Sequence, residues 1–276
     1  MTQQAEPLRS GWRPPLARRT WNSGVWAHFA WAALLPGLIL LGWQLYTAYG
    51  EVNPILLPSP AAIAEALGTL TASGELAVQL GVSLGRAALG TLYGCAAALA
   101  LGTLVGLSRL AAKLLDPSMQ LLRLTPSLAI APLIILWFGF GETSKIVIIA
   151  TGAFFPLYLA TIQSLRGVDG RLTEVARVLQ FGRAQQLSRL LLPGAMPGLL
   201  SGLRLAMAYG WLSLVVAELL GAQAGIGYLM SHAQTNGHPA IIFVGVLVFA
   251  VMGKLIDLLV ATVEKRVLRW RDSYAG

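Results

Sequence analysis

The sequence predicts an all-α, polytopic membrane protein with about six transmembrane helices. Of its 276 residues, 56% are hydrophobic and only 12% are charged, and the apolar residues fall in long runs. A soluble domain carries about 25% charged residues. Since a helical span needs about 20 mainly apolar residues, we take each long run as a candidate span. The candidates cover residues 29–48, 80–107, 126–141, 145–164, 196–220 and 239–262.

Local signals support the first two spans and the segment that joins them. No convincing small-residue cleavage site follows the first run, which is therefore interpreted as a retained span rather than a signal peptide. After it, Pro58 and Pro60 flank Ser59, a good N-cap, and predict a short amphipathic helix. Glycines at helical spacing in the second span favour close packing against another helix. They are Gly81, Gly85, Gly90, Gly94, Gly102 and Gly106.

The basic residues indicate the orientation of the chain in the membrane. Lys and Arg alternate between gaps, and the gaps 49–79 and 221–238 contain none. By the positive-inside rule, both termini are predicted to lie in the cytoplasm. We expect a cytoplasmic segment over 1–28, a permease domain over 29–264 and a cytoplasmic tail over 265–276. The net charge of +8 is thus explained by membrane orientation and not by nucleic-acid binding.

The stretch LTEVARVLQFGRAQQLSRLLLPG, residues 172–194, is basic and helix-forming, and it lies between two predicted spans. Its periodicity predicts two short helices with a bend at residues 180–182, and Pro193 and Pro197 are expected to break the chain before the next span. A helix pair with an apolar side and a charged side could lie on the lipid surface or dock into a groove of a partner protein.

This stretch resembles the cytoplasmic coupling loop of the membrane permeases of ABC importers, here residues 170–194. The glycine of that pattern would fall at Gln180, and Gly182 is expected to supply the bend instead. The residues that match the pattern, or that stand in for it, are Glu174, Ala176, Gly182, Leu190, Leu192 and Pro193.

The resemblance extends over most of residues 55–272. The stretches APLIILWFGFGETSKI (131–146), WLSLVVAELLGAQAGIGYL (211–229) and GKLIDLLVATVEKRVLRW (253–270) resemble the branch that imports aliphatic sulfonates, taurine or nitrate, and the sulfonate members are the most similar. The resemblance implies a type I ABC importer permease fold in the cytoplasmic membrane and a permease homodimer. The implied partners are an ATPase dimer and an extracytoplasmic binding protein. The alternatives are a channel or carrier that acts without an ATPase, and a purely structural membrane subunit.

The chain shows no Walker motif, no metal-ligand spacing and no nucleophile–base pair, so we expect neither an enzyme nor a bound cofactor, and ATP would be used by the partner. Ionisable residues within spans usually face the protein interior or a wet path. Arg86, Arg204 and Glu218 are therefore candidates for the substrate path. Lys254 and Asp257, three residues apart on one helix, are expected to pair with each other.

Overall fold

The computed structural model describes residues 24–125, 127–168, 174 and 178–268, where helices are joined by short loops and no strand is present. The all-α prediction is confirmed. The helices are α1 (Gly24–Tyr49), α2 (Pro60–Ala72), α3 (Glu75–Leu107), α4 (Arg109–Leu124), α5 (Ser127–Phe138), α6 (Glu142–Arg166), α7 (Arg183–Gln186), α8 (Leu192–Leu219), α9 (Ile226–Thr235) and α10 (Pro239–Val267).

The chain divides into two compact units at Glu51. The first unit contains α1, a helix of 26 residues that covers the predicted span 29–48. Its apolar side chains are exposed, with Leu35 at 65% and Ile39 at 61%. Exposed leucine and isoleucine along a helix are typical of a surface that meets lipid rather than water.

The second unit contains the other helices, and four stretches in the described ranges are long and apolar enough to cross a membrane. They are α3, α6, α8 with the turn before it, and α10. These stretches match the second, fourth, fifth and sixth predicted spans. The last helix runs to Val267, slightly beyond the predicted end of the permease domain, and residues 269–276 of the predicted tail lie outside the described residues.

The third predicted span, 126–141, is not one straight helix. Its helical part, α5, has only 12 residues, which is about 18 Å at 1.5 Å per residue and too short to cross a bilayer alone. α4 and α5 together could form a fifth span, bent by 106°. The hydropathy of this region correctly located an apolar segment but wrongly predicted one straight helix. α5 alone is too short to span a bilayer, and a span would need α4 as well.

The packing of α3, α6 and α8 forms the core of the second unit. α3 and α6 run parallel, and four of the six predicted glycines lie in their seam. A Cβ at Gly90 would lie 2.6 Å from Ile149 Cβ, and one at Gly94 would collide with the carbonyl oxygen of Ala150. Gly102 and Gly106 also contact α6, while Gly81 and Gly85 face open space. The expected close packing is confirmed for these four positions, since small residues let two backbones approach.

The short helices follow from local signals. The hydroxyl of Ser59 accepts a hydrogen bond from the backbone N–H of Ala62 at 3.1 Å and caps α2, as predicted.

The expectation that Pro193 and Pro197 break the chain before the fifth span is wrong. A π-helical turn, Leu187–Leu191, runs directly into α8, and Pro193 lies just after their junction without interrupting the helix. Pro197 lies within it.

Candidate functional site

The most buried charged side chains of the second unit meet near the first residue of α6. We call Arg86, Glu142, Lys145, Glu218 and Ser83 the Arg86 cluster. Arg86 is 5% exposed and Glu218 is 1% exposed. The Arg86 guanidinium donates through Nε and Nη2 to the two carboxylate oxygens of Glu142, both at 2.6 Å, and through Nη1 to Glu218 Oε1 at 2.9 Å. This planar, two-pronged geometry is the one that arginine offers a carboxylate.

Glu218 joins α8 to α3 and to the start of α9. The Ser83 hydroxyl lies 2.8 Å from Glu218 Oε1 and 2.9 Å from Oε2, and the backbone N–H of Gly227 donates to Oε2 at 2.9 Å. The side chain of Glu218 also fills the space next to Gly225, where φ is +108° and where a Cβ would collide with the carboxylate. Glycine is required here both for the backbone angle and for the close approach.

The loop between α8 and α9 is fixed to α3 by three further hydrogen bonds. The Arg86 Nη1 donates to the carbonyl oxygen of Ala224 at 2.5 Å, the N–H of Gly225 donates to Gln79 Oε1 at 2.6 Å, and the N–H of Ile226 donates to Ser83 Oγ at 2.9 Å. Buried polar backbone groups are thus paired, as burial away from water demands.

The charges of the Arg86 cluster balance. Lys145 is buried, donates to the carbonyl oxygens of Phe140 and Gly141, and lies 3.8 Å from Glu142 Oε1. Two cations and two carboxylates leave no net charge. Arg86, Lys145 and Glu218 are buried, whereas 61% of the Glu142 side chain is exposed. The buried members are stable against desolvation only as a complete set, because removing one of them leaves an uncompensated charge. The arrangement therefore suits a clamp that joins α3, α6, α8 and α9.

This geometry bears on two candidates for the substrate path. The Arg86 guanidinium donates to protein oxygens, the Glu218 carboxylate accepts from protein donors, and both side chains are almost fully buried. A role in substrate contact stays a prediction for them. Glu142 and Ser83 were not identified from the sequence, because their partners lie far along the chain. The two glycines that flank Ile226 are the local signal that a tight contact exists at this loop.

The third candidate, Arg204, belongs to a second charged group. Its Nε donates to Asp257 Oδ1 on α10 at 2.6 Å, and its Nη1 lies 3.9 Å from Glu264 Oε2. Lys254 Nζ lies 3.5 Å from Asp257 Oδ2, so the predicted Lys254–Asp257 pair is confirmed and extended to Arg204. This group is half-exposed, with 43% of the Arg204 side chain accessible, and it too is neutral.

The predicted coupling segment is described in part. Glu174 is helical and exposed, while Ala176 lies outside the described residues. The bend is present, but its left-handed residue is Gln180, with φ of +52°, and not Gly182. A Cβ at Gly182 would have only Gln185 Oε1 near it, at 4.0 Å. The pattern places its glycine at position 180, and the backbone there has the conformation for which glycine is favoured.

The rest of the coupling segment leads into the membrane without interruption. The N–H of Gly182 donates to Gln185 Oε1 at 3.1 Å and its carbonyl oxygen accepts from the N–H of Gln186, so Gly182 directly precedes α7 and accepts its first helical hydrogen bond. Leu190 is half-buried in the π-helical turn, and Leu192 and Pro193 are exposed at the start of α8. Val178 and Leu179 are 82% and 58% exposed. The segment thus presents apolar side chains outward and is continuous with α8.

Two observations bear on where a ligand or a metal ion could bind. An apolar groove of about 410 Å³ lies between α3, α8 and α10, next to Trp211 and Met207. Within the described ranges, no three His, Cys, Asp or Glu side chains come close enough together to hold a metal ion.

Comparison with known proteins identifies the family. A family model described as the binding-protein-dependent transport system inner membrane component matches residues 90–269. The chain is 45% identical over 272 residues to the putative aliphatic sulfonates transport permease protein SsuC of Bacillus subtilis, which covers 99% of this chain and 95% of that protein. It is 31% identical to the taurine transport system permease protein TauC of Escherichia coli, with 98% and 97% covered.

Solved structures agree on the fold. A structure of the MetNI methionine ABC transporter in an inward-facing conformation matches with a TM-score of 0.62 at 18% identity, covering 71% of this chain and 98% of that one. An amino acid ABC transporter with histidines matches with a TM-score of 0.62, covering 72% and 97%. The predicted type I importer permease fold is confirmed. The chain belongs to the family of inner membrane components of binding-protein-dependent transport systems, and it is the permease component of an ABC importer.

Proposed function

We propose that this permease carries aliphatic sulfonates into the cell across the cytoplasmic membrane. The observation that supports the substrate class is the 45% identity, over nearly the whole chain, to a protein described as a putative aliphatic sulfonates transport permease. A second relative so described, from Escherichia coli, is 40% identical over 240 residues. Taurine is the second candidate, because the taurine permease TauC is also similar over nearly the full length.

The proposed complex is a permease homodimer with two ATPase subunits and an extracytoplasmic binding protein. ATP is used by the ATPase, and the permease supplies the path. The coupling segment, 170–194, docks on the ATPase through its exposed apolar residues, among them Val178 and Leu179. Its direct continuation into α8 would carry a movement of the docked segment into the membrane.

The proposed orientation places the coupling segment and both termini in the cytoplasm. It rests on the lysines and arginines, which are frequent in the gaps on that side and absent from the gaps 49–79 and 221–238. In this orientation the Arg86 cluster lies toward the outside and the last residue of α6, Arg166, lies toward the cytoplasm.

The test is uptake by the complete complex in proteoliposomes. With ATP and the binding protein, we expect import of a labelled short alkanesulfonate, and no import when ATP is omitted. Unlabelled taurine and nitrate, added as competitors, would rank the substrates. Import driven by an ion gradient in vesicles without the ATPase would overturn the proposal and favour a carrier.

The coupling role has its own variant. Glu174→Lys reverses an exposed charge on the docking segment, and we expect sulfonate import per ATP hydrolysed to fall by about tenfold, the factor that corresponds to a lost charge-assisted contact. Lys113→Glu, which reverses an exposed charge on α4, is the control and should leave the ratio unchanged. An unaltered ratio in Glu174→Lys would mean that this residue does not take part in coupling.

A further inference from the structure

A cavity of about 290 Å³ lies between α4 and α6, at the end of α6 opposite the Arg86 cluster. We call it the Arg166 cavity. Its polar lining is Asp116, Gln120, Arg123, Tyr158, Gln163 and Arg166. From the sequence, Arg123 and Arg166 had been used only to predict the membrane orientation. The structure instead places them on two facing helices around one space.

The spacing of the lining residues explains why they converge. Asp116, Gln120 and Arg123 are separated by four and three residues, which places them on one face of α4. Gln163 and Arg166 share a face of α6 in the same way. The two polar faces thus oppose each other across the cavity.

The contacts within the Arg166 cavity leave positive charge unpaired. Arg166 Nη2 donates to the carbonyl oxygen of Val105 at 3.0 Å, and its Nη1 lies 4.0 Å from Asp116 Oδ2, the limit of an ion pair. The hydroxyl of Tyr158 lies 3.4 Å from Asp116 Oδ1. Arg123 is exposed and has no ion pair or hydrogen bond from its side chain within the described part of the chain. Two arginines against one carboxylate leave one positive charge.

This excess distinguishes the cavity from the other two charged groups. The Arg86 cluster and the group of Arg204 with Lys254, Asp257 and Glu264 each hold as many carboxylates as cations. Both are therefore neutral, and their arginines bond to carboxylates at 2.9 Å or less. Among these three groups, the Arg166 cavity is where a monovalent anion would restore the balance.

The cavity also has an apolar side. Phe155 and Leu159 line it beside the polar residues. A short alkanesulfonate has a charged head with three oxygen acceptors and a small apolar tail, and the cavity offers both kinds of surface. Arginine suits the head, because its planar group of N–H donors matches an oxyanion.

We propose that the Arg166 cavity is a transient binding site for the sulfonate head group on the transport path, with Arg123 and Arg166 as its cationic ligands. This inference rests on the proposed function. We expect the cavity to bind a sulfonate weakly, because 47% of the Arg166 side chain is exposed and solvent screens its charge. A site that holds a substrate loosely lets it leave, which transport requires.

The test measures the sulfonate concentration for half-maximal uptake by the complete complex, with the binding protein saturating and ATP constant. Arg123→Gln keeps size and polarity and removes the charge, and we expect a rise of about tenfold, the effect of losing one charge-assisted hydrogen bond. Arg109→Gln, on the first residue of the same helix and outside the cavity, is the matched control and should be unchanged.

The outcomes separate the two levels of the proposal. If the unmodified complex imports no sulfonate, the proposed function fails. If it imports sulfonate and Arg123→Gln behaves like Arg109→Gln, the function stands and the cavity is not on the path. A lipid phosphate is the other anion that the same chemistry would take. Dependence of the Arg123→Gln defect on anionic lipid, and its absence in vesicles of neutral phosphatidylcholine, would assign the cavity to lipid and overturn the proposal.

Discussion

The Arg86 cluster and the Arg166 cavity lie at opposite ends of α6 and use the same side chains, arginine and carboxylate, in opposite ways. At the first end, the cations and carboxylates are equal in number, Arg86, Lys145 and Glu218 are buried, and Arg86 bonds to both carboxylates at 2.9 Å or less. At the other end, arginine exceeds carboxylate, the side chains are partly exposed and the nearest ion pair is 4.0 Å long. Charge within a span therefore does not indicate a substrate site by itself. Balance and burial decide whether it serves as a clamp or remains available to a ligand.

The largest expected effect comes from unbalancing the Arg86 cluster. In Glu218→Gln, the new NH2 group replaces one of the two carboxylate oxygens. In one orientation of the amide it faces the Arg86 guanidinium, and in the other it faces the N–H of Gly227, so a donor meets a donor in either case. The cluster would also carry a buried positive charge. We expect a loss of stability of about 3–5 kcal/mol, measured as a large fall in the apparent Tm of the purified permease in detergent.

Asp257→Asn is the matched control for that variant. It also removes a carboxylate from an arginine, but from a pair whose side chains are 43% and 34% exposed rather than buried. We expect its apparent Tm to stay close to that of the unmodified protein. Equal losses in the two variants would show that burial does not separate the two ion pairs and would contradict the clamp.

A smaller effect is expected from the seam that brings the members of the Arg86 cluster together. Gly94→Leu would drive a side chain into the carbonyl oxygen of Ala150 and separate α3 from α6. Overpacking of this kind costs about 1–3 kcal/mol, and it should appear as a moderate fall in the apparent Tm. Gly81→Leu, at a position of the same helix with open space around it, should be tolerated. A tolerated Gly94→Leu would mean that the seam opens without cost.

The smallest effect is expected at the Arg166 cavity, and it goes in the favourable direction. Asp116→Asn removes the carboxylate that offsets Arg166, so the sulfonate concentration for half-maximal uptake should fall by about threefold, the size of a weak, exposed ion pair. Asp257→Asn adds the same charge beside Arg204. An effect of Asp257→Asn without one of Asp116→Asn would assign the anion path to Arg204 instead.

Hydropathy predicted the long helices well because each span must satisfy its backbone internally and bury an apolar surface, and both demands are local. The third span is the exception. Its apolar run is too short to cross alone, and the 106° bend between α4 and α5 depends on packing that no window of sequence contains. The glycines of α3 predicted a close seam, but which four of the six lie in it depends on where α6 approaches.

The candidate site was less predictable than the fold. Arg86 and Glu218 were identified because charge within a span is costly, yet their mutual contact joins residues 132 positions apart and has no local signature. Gln180 is a different case. The family pattern indicated that position 180 needs a glycine's conformation, and the residue that occupies it directed attention to Gly182 instead. The backbone of Gln180 has the left-handed angle expected of the pattern's glycine, although the residue carries a side chain.

The distance along the chain between Arg86 and Glu218 has a consequence for how the protein is made. A ribosome adds about 5–20 residues per second, so Glu218 is synthesised about 7 to 26 s after Arg86. Glu142 follows Arg86 by only 56 residues. During that interval the arginine has one carboxylate partner within reach at most, and α3 enters the membrane with its charge incompletely matched. We expect the cluster to close last, when α8 is complete, so that a nascent chain truncated before Glu218 is a preferred substrate for membrane quality control.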